Sequence, residues 1–178
     1  YWTQAEEEVR GSQIVHYKKK IDGIASLLSD LKLERIGFES SSLTFSSHQS
    51  LMEKLPKEIR FVPLEGEIKN FRAAKDTQEM ALIQKAIEIS SKAFLHVIEK
   101  LKEGIPEREP SLEMEFFMKN SGAEAISFDI IVASGKRSAL PHGRASSKQI
   151  EKGDFILIDF GSRFQGYYSD QTRTLVCG

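Results

Sequence analysis

Cysteine is all but missing: Cys177 stands alone, which excludes an internal disulfide and a cysteine-based zinc site. Nor is there an excess of charge of one sign. With 25 basic and 26 acidic residues the net charge is -1, so no general attraction to nucleic acid or to an anionic membrane is expected. The local basic run Lys18-Lys19-Lys20 reads as a solvated helix face. No apolar run approaches the ~20 residues of a membrane span, and no signal-peptide pattern is visible. A reducing, cytoplasmic setting is therefore the expectation. The chain also lacks an initial methionine, starting at Tyr1-Trp2, and stops at Gly178 directly after a strand-like run. These ends read as those of a processed chain or of an excerpt from something longer.

What is present is ordinary for a soluble globular protein: 40% hydrophobic and 29% charged residues. At 178 residues there is room for one good domain or two small ones. Residues 12–31 carry Ile14, Val15, Ile21, Ile24, Leu27, Leu28 and Leu31 at a helical period. The runs RIGFE (35–39) and IRFVPL (59–64) read as strands, and residues 49–55 as a short helix, an α/β pattern. A boundary is expected near 66–69, because a long periodic helix follows. There Asp76 and Glu79 have capping-box spacing, and Met80, Ile83, Ile87, Ser90, Phe94, Ile98 and Leu101 mark one face. Gly104 and Pro106 stop this helix. His96 on it has no partner at ligand spacing and reads as structural. A second helix is expected over 111–120, a strand over 128–133, a loop with Pro141-His142-Gly143 over 137–150, and a final hairpin.

That hairpin, GDFILIDFGSRFQGYYSDQTRT, holds two carboxylates. Asp159 interrupts an apolar run that reads as a strand buried on both faces, where an ionised carboxylate is costly unless a cation meets it. Gly161 and Gly166 bracket a polar turn over 162–165, and a second strand-like run covers 167–176. A loop of even length gives opposed residues an odd sequence separation, and Asp159 and Asp170 are 11 apart. They can oppose each other at roughly 4.5 to 5.5 Å between Cβ atoms, or stand on the diagonal at about 7 to 8 Å. Like charges that close require a proton on one of them or a cation between them. A pair of divalent ions about 3.5 to 4 Å apart fits the gap, but Arg163 or Arg173 pairing with either acid fits it as well.

The blocks SFDIIVASG, ALPHG, GDFILIDFG and GYYSDQTRT, in this order and spacing, resemble the metal-dependent Xaa-Pro peptidases, aminopeptidase P and prolidase. IKNFRAAKDTQEM is similar to the start of their first catalytic-domain helix, and YWTQAEEE to a segment inside their creatinase-like N-terminal domain. The resemblance implies an α/β (α+β) chain: a partial creatinase-like N-terminal α/β domain over 1–67, then the first half of a pita-bread catalytic domain over 68–178. It implies that Asp159 holds one metal ion and Asp170 bridges two. His142 would hydrogen-bond the peptide or the tetrahedral intermediate; without the family it reads as a loop histidine after proline. The implied activity is hydrolysis of the N-terminal bond preceding proline by a metal-bridged hydroxide, with Mn²⁺, or Co²⁺ or Zn²⁺, as the two cofactor ions. Substrates would be peptides with proline second, whose tertiary amide has no N–H to donate. Neither nucleic acid nor membrane is implied as a partner, and the parent protein would be a homodimer.

The family site uses five ligands, and the remaining His and two Glu lie downstream of SDQTRT, so the 178 residues alone are expected to be inactive. One rival is a non-catalytic pita-bread module that binds peptides or proteins, against which both aspartates argue. Another is phosphoryl transfer, because ILIDFGS superficially resembles the first phosphate loop of actin-like ATPases. No second phosphate loop accompanies it.

Overall fold

Parallel pairing of β1 (Arg35–Glu39) with β2 (Arg60–Leu64) organises the first part of the chain in the computed structural model, which describes residues 1–178. Parallel strands need a crossover, and α3 (Phe45–Lys54) supplies it. Thr44 caps that helix by accepting from the Ser47 N–H at 3.3 Å. Helix α2 (Lys20–Asp30) lies against α3, and together they bury Ala25, Leu51, Leu55 and Ile59. Short helices α1 (Trp2–Glu8) and α4 (Glu67–Ala73) stand at the two ends of this unit, which spans Tyr1–Ala74.

The helix expected over 12–31 is shorter at its start. Residues 9–19 are not helical, because Tyr17 folds back onto Gly23: a Cβ on Gly23 would lie 2.6 Å from the Tyr17 Cβ. Lys18 and Lys19 therefore precede the helix rather than line it.

The second unit, Lys75–Gly178, opens with α5 (Thr77–Ile98). Its capping box is formed: Asp76 accepts from the Glu79 N–H at 2.9 Å, and Glu79 accepts from the Asp76 N–H at 2.8 Å. Its buried stripe is rotated from the expected one and centres on Ala86, Ile89, Ser90, Ala93 and Val97, while Met80 is exposed. Small residues on that line let the hairpin approach the helix backbone. Helix α6 (Arg108–Asn120) packs beside it through Met114 and Met118.

The strands follow as β3 (Ala125–Ile126), β4 (Ile131–Ser134), β5 (Phe155–Phe160), β6 (Ser162–Phe164), β7 (Tyr167–Tyr168) and β8 (Gln171–Val176). They form two antiparallel sheets, β4-β5-β8 and β3-β6-β7. One register runs through both: Phe155 pairs with Val176 and Phe164 with Tyr167, so residues 155–176 are a single ribbon that passes from one sheet to the other near Gly161. Its turn is not the expected 162–165. It is the two residues Gln165 and Gly166, both at positive φ, as the tightest hairpin turns require. Both loops are even in length, so the parity of the register survives.

β5 is buried on one face only, against the expectation. Ile156, Ile158 and Phe160 enter the core, with Phe160 stacked on Phe94 at 5.5 Å, while Phe155 is exposed and Leu157 and Asp159 are half-buried. The helices cover one side of the β4-β5-β8 sheet, and strict alternation sends Asp159 to the other.

Candidate metal centre

Asp159 pairs with Ile131 on one side and with Thr172 on the other. The Thr172 hydroxyl donates to its Oδ1 at 2.9 Å, which fixes the orientation of the carboxylate. Asp170 lies two residues before Thr172, so the register puts it on the diagonal from Asp159, a spacing of about 7 to 8 Å in a regular ladder. Asp170 is exposed and makes no hydrogen bond or ion pair.

The two arginines near enough in sequence to neutralise the pair are engaged elsewhere. Arg163 meets Glu124 at 3.0 Å, and Arg173 donates to the Thr172 carbonyl at 2.8 Å and to Gln171 Oε1 at 3.1 Å. Two carboxylates on one face without a counter-cation, one aligned by a hydroxyl, are oxygen donors suited to a hard divalent ion. The residues present fit part of such a site. No group of three or more His, Cys, Asp or Glu side chains comes together to hold an ion.

What aims Asp170 is a polar cluster against α5. Ser169 is buried; its hydroxyl lies 2.9 Å from the Ser90 hydroxyl and accepts from the Ser162 N–H at 3.0 Å. The Ser162 and Ser90 hydroxyls both donate to the Ala86 carbonyl, at 2.9 and 3.1 Å. On the other side of Asp170, Gln171 Nε2 donates to Ser90 at 2.8 Å. With both neighbours tied inward to the helix, alternation turns Asp170 outward. Gly161, opposite Asp170 in the register, permits this closeness: a Cβ there would lie 2.0 Å from the Ser169 carbonyl oxygen.

His142 sits in the loop between β4 and β5 and is exposed. Its neighbour Gly143 is buried, and a Cβ on Gly143 would lie 3.5 Å from the Ala133 Cβ. Ala133 pairs with Leu157, two residues before Asp159, so the Pro141-His142-Gly143 segment lies over the face that carries Asp159. His142 is not within ligand distance of a carboxylate cluster. His96, read from its spacing as structural, hydrogen-bonds Glu113 at 2.7 Å and stacks on Phe117.

No local signal in the sequence announces the polar cluster, and Ser90 falls there on the same face as the apolar residues of the helix. Glu107 was missed as well. It is fully buried beneath the His142 loop, at the N-cap position of α6.

The model for metallopeptidase family M24 matches residues 81–178. The chain belongs to metallopeptidase family M24. Residues 1–74 of this M24 chain match the creatinase/prolidase N-terminal domain. The Xaa-Pro dipeptidase of Pyrococcus furiosus is 43% identical over 160 residues, which are 90% of this chain and 45% of that protein. Among solved structures, an Xaa-Pro dipeptidase from Bacillus anthracis matches 99% of the M24 chain with a TM-score of 0.88 and 42% identity, over 49% of its own length. An X-Pro aminopeptidase from Thermotoga maritima matches 99% with a TM-score of 0.87 and 37% identity, over 50% of its length. The fold is thus the mixed α/β, pita-bread architecture expected from the motifs. The chain spans about half the length of the curated relatives it matches.

Proposed function

We propose that this chain carries part of the site of a metal-dependent peptidase that cleaves the N-terminal bond preceding proline, as an Xaa-Pro dipeptidase or Xaa-Pro aminopeptidase. The observation that carries the reading is the diagonal pair Asp159 and Asp170, without a counter-cation, on one sheet face of an M24 chain. Asp159 would hold one divalent ion and Asp170 would be shared by two, with Mn²⁺ preferred and Co²⁺ or Zn²⁺ as alternatives. When bound, such ions supply an ionised water near neutral pH and polarise the scissile carbonyl.

The chain's own residues orient and select. Thr172 keeps the Asp159 carboxylate in one orientation, as partners behind metal ligands do. Ser169 and Gln171 do the same for Asp170 through the backbone. His142 would hydrogen-bond the peptide carbonyl as negative charge builds on its oxygen. Residues 1–67 are assigned to a partial creatinase-like domain and 68–178 to the first half of the catalytic domain. The lone Cys177 accords with a cytoplasmic setting. Two carboxylates make an incomplete ligand set, so the 178 residues alone are expected to show no turnover with added Mn²⁺.

The test is a graft in which residues 1–178 replace the matching half of the Pyrococcus furiosus Xaa-Pro dipeptidase. Mn²⁺-dependent cleavage of Xaa-Pro dipeptides or Xaa-Pro-Yaa tripeptides is expected, and the preferred length separates dipeptidase from aminopeptidase. Cleavage that persists after Asp170→Asn, or that needs no metal, would falsify the assignment.

A further inference from the structure

Glu107 takes hydrogen bonds from both ends of the loop that carries His142. At the end leaving β4, Ser134 gives its N–H at 2.7 Å and its hydroxyl at 3.0 Å, and Arg137 gives Nε–H at 3.0 Å. At the returning end, Ser146 gives its hydroxyl at 2.6 Å and its N–H at 3.2 Å. Arg137 then spans the loop, its Nη2 donating to the Arg144 carbonyl at 2.7 Å. Glu107 itself is fixed to the returning segment, since its own N–H donates to the Lys148 carbonyl at 2.9 Å.

A fully buried carboxylate is expensive unless it is satisfied, and here every side-chain partner is either Ser134 at the end of β4 or a residue of the loop that follows. Burial raises its pKa, but the hydrogen bonds from Ser146 and Ser134 and from Arg137 outweigh this and hold the group ionised below the ordinary glutamate range. Between the clamped ends, the ties are short-range ones, such as the Gly143 N–H to the Leu140 carbonyl, and one exposed ion pair between Arg144 and Asp129. The closed ends therefore set where Gly143 lands on Ala133, and with it the height of His142 above the Asp159 face.

We propose that Glu107 is a positioning residue for His142: by tying Ser134 and Arg137 to Ser146 it holds the Pro141-His142-Gly143 segment over the carboxylate face. The proposal rests on the reading that His142 meets the peptide, and it assigns the loop's geometry to a residue outside the site.

Nuclear magnetic resonance on the 178-residue chain tests it. Glu107→Gln keeps the size but turns an amide N–H group toward donors. The expected result is loss of the nuclear Overhauser contact between the Ala133 methyl and the Gly143 α-protons, while cross-strand contacts between Ile131 and Asp159 remain. Persistence of the Ala133–Gly143 contact in the folded variant overturns the proposal, as does its loss together with the sheet contacts, which is the signature of a merely structural role. Should Glu107→Gln fail to fold, Ser146→Ala removes the hydroxyl at the returning end, and an unchanged Ala133–Gly143 contact there overturns the proposal equally. Mn²⁺-dependent cleavage by the graft with the Pyrococcus furiosus half, and its loss in Asp170→Asn, decides the metal reading separately, whereas the Overhauser contact decides the clamp without any metal.

Discussion

Ser169 and Gln171 turn inward to helix α5 and leave Asp170 between them facing solvent, so the direction of this carboxylate is set by hydrogen bonds that it does not itself make. Ser169→Ala would leave the buried Ser162 N–H without its acceptor, at a cost of about 1 to 3 kcal/mol, which urea unfolding would register as a lower midpoint. Asp170→Asn should behave in the opposite way. Asp170 has no partner to lose and a like charge on the diagonal, so the unfolding midpoint is expected to stay or rise; a loss beyond ~0.5 kcal/mol would contradict the geometry. Whereas His142 stood out only through the family resemblance, the shared face of Asp159 and Asp170 was legible in the sequence, because the parity of a hairpin is a local signal. The side chains that orient them were not. Ser90 meets Ser169 across 79 residues and Glu107 meets Ser146 across 39, and no local pattern encodes such pairings.

At the scale of elements, two carboxylates tie the β4–β5 loop to its surroundings: Glu107 beneath it and Asp154 at its end. The hydrogen bond from Lys148, at 2.7 Å, and that from the Glu151 N–H hold the Asp154 carboxyl below its usual range, and Glu107 is depressed as well. A carboxylate depressed in the folded state contributes stability above its unfolded pKa, near 4, and that contribution is lost as pH falls through the lower folded value. The thermal midpoint is therefore expected to be flat above about pH 5 and to fall below about pH 4. A midpoint that rises on acidification would contradict these ionic anchors. The capped start of α5, both parallel strands and the parity of the hairpin could be read from the sequence because capping, β-branching and period are local signals. The start of α2 could not, since the contact of Tyr17 with Gly23 overrides the apolar period of residues 12–19. Nor could the single buried face of β5, since an unbroken apolar run reads the same whether one layer covers it or two.

For the whole molecule, the consequence is that the β4-β5-β8 sheet presents its second face, with Phe155, Leu157, Asp159, Thr172 and Val176, to solvent within residues 1–178. Phe155 and Val176 are each 60% exposed, and the two carboxylates share this open side with the His142 loop. The M24 chain brings no third His, Cys, Asp or Glu side chain to this pair, and it spans about half the length of the first curated relatives it matches. Under the proposed function, Asp159 and Asp170 would be joint ligands of a pair of divalent ions. Anomalous diffraction from Mn²⁺-soaked crystals of the graft with the Pyrococcus furiosus half tests this directly. Two manganese peaks are expected, both touching the Asp170 carboxylate and one also touching Asp159. No peak at Asp170, or an arginine occupying the space between the two carboxylates, would contradict it.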